Sequence, residues 1–125
     1  MNDNHYQQNL YMKINLTITG CMGRMGQQLI KSSNKNKIFK IVSLTENFKI
    51  KKKINNILPE FNNVNSFKKT NIIIDFTVPK CTLEVLKIAC KLKKRVVIGT
   101  TGFTKNQEIL IKDILKRFQY LRLGI

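Results

Sequence analysis

Tryptophan is absent from this sequence, histidine occurs once, proline twice and cysteine three times, and only seven side chains are acidic. The lone histidine, His5, lies in a polar leader, so no Ser/His/Asp triad, His-rich metal site or histidine acid/base pair can assemble in a core. Cys21, Cys81 and Cys90 are odd in number and form no CxxC pair, which argues against a disulfide framework and against zinc. They read as reduced, small apolar residues. The longest apolar runs, Asn71 to Phe76 and Arg95 to Ile98, fall far short of the roughly 20 residues of a membrane helix. The N-terminus, MNDNHYQQNLYM, lacks the basic start and apolar stretch of a secretory signal. A cytoplasmic protein with no membrane partner and no metal is expected.

The shortage of acid leaves a formal charge of +16, from 23 basic against seven acidic residues. Clustered cations release counterions from a phosphate backbone, so a nucleic-acid partner has to be considered. Against it, 19 of the basic residues are Lys, and Lys, Asn and Ile together make 50 of the 125 residues, the product of AT-rich codons. No aromatic residues interleave with Lys51-Lys52-Lys53 or Lys93-Lys94-Arg95, so the stacking pattern of a single-strand binder is missing. Lysines spread over solvated faces account for the charge better than selected nucleic-acid binding.

What is present is a strand-and-helix alternation in a chain of one-domain length. Residues 1–12 show no periodicity and read as a disordered leader, with Met12 as an alternative start; the fold begins at Lys13. KINLTIT is a strand signal ended by Gly20, and Met25, Leu29 and Ile30 mark a helix fading in Ser32-Ser33-Asn34. Phe39 to Leu44 and Asn71 to Phe76 are further strands, the latter a near-continuous apolar string typical of a strand buried on both faces. Between them, residues 47–70 read as Lys- and Asn-rich loop with room for a short helix. Pro79 suits a first helical position, followed by Leu83, Leu86 and Ala89/Cys90 at helical spacing and by cations at the carboxyl end. Arg95 to Ile98 is strand four. Thr104 and Gln107 form a capping-box pattern opening a helix expected to turn Ile109, Leu110, Ile114 and Phe118 inward, and Tyr120 to Leu123 starts a fifth strand. The fold class is therefore α/β, a Rossmann-like doubly wound parallel sheet, whose ligands bind beyond the carboxyl ends of the strands.

Those ends hold the chemistry. After strand one, Gly20-Cys21-Met22-Gly23-Arg24-Met25-Gly26 spaces three glycines by three. In such a loop the first glycine allows a tight turn, the middle lets amides approach a pyrophosphate, and the third allows helix to pack on strand. Alone, this pattern also fits a ligand-free turn. Glu46 follows strand two, twenty residues beyond Gly26, where a carboxylate can accept hydrogen bonds from ribose hydroxyls. Asp75-Phe76-Thr77-Val78-Pro79 follows strand three and Gly99-Thr100-Thr101-Gly102-Phe103 follows strand four, placing small hydroxyl residues where a flat ring would lie, or where turns and caps need them. Asp75 is better placed to order its loop than to act as an acid, and no catalytic residue is assigned.

Taken together, GCMGRMG, the Glu46 spacing, IDFTVP at 74–79 and VIGTTGF at 97–103 resemble the 4-hydroxy-tetrahydrodipicolinate reductase family, also called dihydrodipicolinate reductase, over Lys13 to about Phe118. The resemblance implies NAD(P)H-dependent hydride transfer to a small cyclic dicarboxylate in lysine and diaminopimelate synthesis, by an enzyme that is commonly a homo-oligomer. It implies that the loop of Gly20, Cys21, Met22, Gly23, Arg24 and Met25 holds dinucleotide phosphates, that Glu46 holds the ribose, that Gly99, Thr100 and Thr101 meet the nicotinamide, and that Phe76 and Thr77 wall that pocket. Where the family often has Arg after the ribose acid, this chain has Asn47, with Lys49 or Lys51 as substitutes, so the cofactor is NADH or NADPH. The stretch from Glu46 to Asp75 is several residues shorter than the family pattern. The family's His/Lys substrate motif and its second domain have no counterpart here. The expectation is thus a dinucleotide-binding domain over 13–125, truncated before the substrate domain and lacking turnover alone; a free-standing dinucleotide-binding module and a basic nucleic-acid-binding protein are the alternatives.

Overall fold

The computed structural model describes residues 13–117 and 123–124. Its elements run β1 (Ile14–Thr19), α1 (Arg24–Asn34), β2 (Phe39–Thr45), α2 (Val64–Phe67), β3 (Ile72–Asp75), α3 (Pro79–Leu92), β4 (Arg95–Ile98), α4 (Lys105–Arg117) and β5 (Leu123–Gly124). The strands form one sheet in the order β2-β1-β3-β4-β5, and every neighbouring pair is parallel. This is the expected Rossmann-like arrangement. After β2 the chain crosses back past β1 to form β3, so the topological switch falls between β1 and β3, where ligands of such sheets bind.

Register brings the strand ends level. Thr19 pairs with Thr45 on one side and Asp75 on the other, and Asp75 pairs with Ile98. The next residue along each strand, Gly20, Glu46, Phe76 and Gly99, therefore opens a loop on the same edge.

Helices cover both faces because the strands are apolar on both. Phe67, Ile73, Val85, Leu86, Ala89, Val96 and Ile98 form one buried cluster, which unites α2, β3, α3 and β4. Ile18, Cys21, Ile30, Ile41 and Leu44 form the other, joining β1, α1 and β2. Each such buried aliphatic contributes about 1.5–3 kcal/mol relative to an exposed one. Pro79 occupies the first turn of α3, and Lys93, in the left-handed region at φ 56°, closes that helix, with the Lys94 amide donating to the Ala89 carbonyl at 2.9 Å. The Thr104/Gln107 capping box is reciprocal, at 2.9 and 3.1 Å.

Two sequence readings change. In α4, Ile114 is buried and Ile111 packs on the first cluster, whereas Ile109 and Leu110 face solvent. Apolar residues surround this helix at 109, 110, 111, 114 and 115, so periodicity could not choose the inner face; the position of Phe103 and α3 does. Residues 47–70 hold the short helix the sequence allows, α2, but the rest of the stretch is more ordered than a loop. Asn55 and Asn56 adopt left-handed conformations between Ile54 and Ile57, which exchange backbone hydrogen bonds at 2.8 and 2.9 Å, the geometry of a two-residue hairpin. Asn63 and Ser66 then cap each other around the first turn of α2 and deliver Phe67 to the core. The expected leader at 1–12, together with Phe118 and Tyr120 to Arg122, lies outside the described residues.

Candidate functional site

A cavity of about 260 Å³ opens at the switch point, lined by Gly20, Gly23, Glu46, Asn47, Asn62, Phe76, Thr77, Val78 and Cys81. Five of the twelve residues picked out by sequence, Gly20, Gly23, Glu46, Phe76 and Thr77, reach it directly. Each is held there for a physical reason.

Gly20 has φ 62°, and a Cβ on it would meet the Thr77 methyl at 2.7 Å. Both the turn and the close approach of β1 to the β3 loop therefore need glycine. At Gly26 a Cβ would collide with the carbonyl oxygen of Gly20, so α1 can start this close to the strand only without a side chain. Gly23 is the N-cap of α1 and offers no side-chain cap. The first turn of α1 thus has no side-chain cap for its amides, at the end of the helix that favours negative charge.

Glu46 joins this loop to β2. Its Oε2 accepts from the Met22 amide at 3.0 Å and its Oε1 from the Asn47 amide at 3.0 Å. The carboxylate is thereby oriented at the cavity rim, with lone pairs remaining for further donors.

Behind the cavity the DFT and GTT segments interlock. Thr77 Oγ1 donates to Asp75 Oδ1 at 2.6 Å, and the Thr77 amide donates to Thr100 Oγ1 at 3.0 Å. Thr82 Oγ1 also donates to Thr100 Oγ1, at 2.7 Å, and Thr19 Oγ1 donates to Asp75 Oδ1 at 2.7 Å. Asp75 is fully buried and works as a tie between β1 and the β3 loop. The Phe76 ring lies where a Cβ of Gly99 would be, which explains the glycine.

The remaining residues picked out by sequence stand differently. Cys21 is fully buried in the second cluster and its amide donates to the Thr45 carbonyl at 3.1 Å, so neither its side chain nor its N–H faces the cavity; here the reading of Cys21 as a contact gives way to a core residue. Burial, reinforced by the charge of Glu46 and partly offset by a backbone hydrogen bond, pushes its thiol up to about 11. Thr100 is buried, and its hydroxyl is spent as a brace. Met22, Arg24, Met25 and Thr101 are exposed beside the loop ends without lining the cavity. Sequence reasoning missed Asn62, Val78 and Cys81. The Asn63/Ser66 capping pattern was the available signal for Asn62, since it fixes where the chain re-enters the fold. Burial raises the Cys81 thiol, with the negative charges of Glu84, Asp75 and Glu46 adding to the effect. Among the described residues, no three His, Cys, Asp or Glu side chains are grouped to hold a metal, and no helix is long and apolar enough to cross a membrane.

Comparison with known proteins agrees with this geometry. Residues 14–123 match the family described as "Dihydrodipicolinate reductase, N-terminus". The chain belongs to the dihydrodipicolinate reductase family. It is 62% identical over 112 residues to the 4-hydroxy-tetrahydrodipicolinate reductase of Pelagibacter ubique, covering 90% of this chain and 43% of that protein. The corresponding protein of Wigglesworthia glossinidia brevipalpis is 39% identical over 116 residues, with 83% and 43% covered. The chain thus spans less than half the length of these relatives. Among solved structures, the dipicolinate-bound dihydrodipicolinate reductase from Paenisporosarcina sp. TG-14 superposes with a TM-score of 0.67 at 25% identity, over 86% of this chain and 45% of the other. A homoserine dehydrogenase of S. aureus gives the same score at 21% identity, a likeness of fold alone. The family is a reductase family, and the domain matched is its nicotinamide-dinucleotide-binding part.

Proposed function

We propose that this chain seats NADH in preference to NADPH for reduction of 4-hydroxy-tetrahydrodipicolinate in lysine and diaminopimelate synthesis. The observation that carries the reading is the Glu46 carboxylate bonded to the Met22 amide of the glycine loop, facing Phe76 and Thr77 across the switch point. In this reading the uncapped α1 terminus takes the pyrophosphate, Glu46 takes the ribose hydroxyls, and Phe76 and Thr77 begin the wall leading towards Gly99, Thr100 and Thr101. At about 260 Å³ the cavity is smaller than the usual pocket of about 300–1,000 Å³ and suits the adenosine end of a dinucleotide, not its whole length.

A carboxylate at the ribose repels a 2′-phosphate, and Asn47 supplies no compensating charge beside it; this favours NADH. A nicotinamide dinucleotide seated here would supply the hydride, and the residues of this chain would supply its position. The chain spans less than half the length of its reductase relatives, and the part of the reaction proposed for it is the seating of the cofactor. Calorimetric titration with NADH and NADPH tests the reading: NADH binding the more tightly supports it, and no heat with either dinucleotide sinks it.

A further inference from the structure

The sequence by itself suggests lysines spread over solvated faces, but the direction of the sheet sorts them. Each of the first four strands is entered through cations: Lys37 precedes β2, Lys13 precedes β1, Lys68-Lys69 precede β3, and Lys93-Lys94 precede β4, whose own first residue is Arg95. These strands are parallel and adjacent in the order β2-β1-β3-β4, so the entries stand side by side on the amino edge, opposite the edge that holds the cavity of Glu46 and Thr77. At about 4.8 Å between neighbouring strands, the line is about 15 Å long.

The carboxylates lie elsewhere. Glu46 and Asp75 stand at the carboxyl edge, as does Glu60 through its bridge to Thr45. Glu84 is in the first half of α3 and Glu108 in the first turn of α4, both helices that start from that edge, and Asp113 lies along α4. Among the described residues no carboxylate stands with the amino-edge cations. Those cations are held in one group: Asn15 Nδ2 donates to the Lys69 carbonyl at 3.0 Å, and Lys94 Nζ to the Lys68 carbonyl at 3.0 Å, which ties the loop before β3 to the starts of β1 and β4. Beside them opens a cleft of about 340 Å³, lined by Ile14, Thr70, Asn71, Ile72 and the Lys93-Lys94-Arg95 run. Lys68, Lys69, Lys93 and Arg95 are exposed. Like charges gathered without a carboxylate repel one another, and together they draw polyanions.

The rest of the edge narrows the partner. Of the exposed large apolar residues only Ile38 stands there, so a lipid surface would find little to take in. The exposed phenylalanines, Phe48 and Phe61, lie close to Glu46 and Glu60 at the other edge, so unpaired bases have nothing to stack on. A duplex needs neither, and its backbone carries one charge per about 1.7 Å of axis, several phosphates to a line of this length. We propose that the amino edge of the sheet docks the phosphate backbone of a nucleic-acid duplex, without reading its sequence, at a site separate from the cavity on the carboxyl edge.

The test is fluorescence anisotropy of a short labelled DNA duplex titrated with the full chain. With about four phosphates contacted, affinity should fall about a hundredfold between about 50 and 200 mM salt. Combined Lys68→Gln, Lys69→Gln and Arg95→Gln should flatten the logarithmic salt slope by about three, whereas Lys80→Gln, Lys87→Gln and Lys105→Gln, which remove the same charge from α3 and α4 away from that edge, should leave it unchanged. Saturating NADH should not displace the duplex. No binding by the unaltered chain at the lower salt overturns the proposal, as does equal weakening by the two triple variants, which would reduce the effect to net charge. Displacement by NADH would place the duplex in the carboxyl-edge cavity, and competition by polyglutamate as effective as by unlabelled duplex would assign the edge to an acidic protein segment; either result overturns it too.

Discussion

The Glu46 carboxylate and the Met22 amide are joined by a 3.0 Å hydrogen bond across 24 residues of sequence, so the carboxylate that follows β2 and the glycine loop that follows β1 form one unit. Glu46→Ala removes both a ligand for hydroxyls and the tie that orients the loop. NADH affinity should fall about tenfold, and NADPH affinity less, because repulsion of the 2′-phosphate disappears with the charge. Fluorescence titration with both dinucleotides measures the ratio; an unchanged ratio would count against Glu46 as the discriminating group.

Gly26 and Gly23 carry opposite expectations although both belong to one motif. At Gly26 an added Cβ meets backbone on two sides, the Gly20 carbonyl and the Cys21 Cα at 2.8 Å, neither of which can swing away. Gly26→Ala should cost more than about 3 kcal/mol in urea unfolding. At Gly23 the nearest atom is the Gly20 oxygen at 3.3 Å, so Gly23→Ala should cost less than about 1 kcal/mol of stability.

Cys81 reports on the cavity. Cys21 and Cys90 are buried, whereas Cys81 is half-buried and lines the cavity. Its raised thiol makes alkylation slow near neutral pH and faster as pH climbs above 9, where the thiolate accumulates. Saturating NADH should slow labelling of Cys81 several-fold at any fixed pH, read by peptide mass spectrometry. Labelling unaffected by the dinucleotide would place the ligand elsewhere.

The buried Cys21 thiol sets a pH dependence of stability. Its folded value of about 11 lies above the ordinary 9, so between these the unfolded chain releases a proton that the folded chain keeps. Stability from this group is complete below pH 9 and is lost as pH rises towards 11, by on the order of 2 kcal/mol. Cys21→Ala should show a shallower decline over that window in denaturant melts. Parallel declines in both proteins would remove Cys21 as the cause.

The strands and long helices were legible because each carries its own signal: β-branched runs at 14–19 and 72–75, Pro79 at a helix start, Thr104 with Gln107 at another. The inner face of α4 was not, since its apolar residues encircle the helix. Nor was the path of 47–70, where Asn55-Asn56 and Asn63 look like the same Asn-rich composition but act as hairpin turn and helix cap.

By itself the sequence determined which segments would end at a common edge and which residue types would stand there, because strand periodicity and glycine spacing are local properties. The tertiary structure decided the division of labour among them. Register set Gly20, Glu46, Phe76 and Gly99 level, and packing then turned Cys21 into core and Thr100 into a brace for Thr77 while bringing Asn62 to the cavity from the far side of β2. Those outcomes depend on which hydrogen bonds and contacts are already satisfied by distant parts of the chain, which no local pattern records.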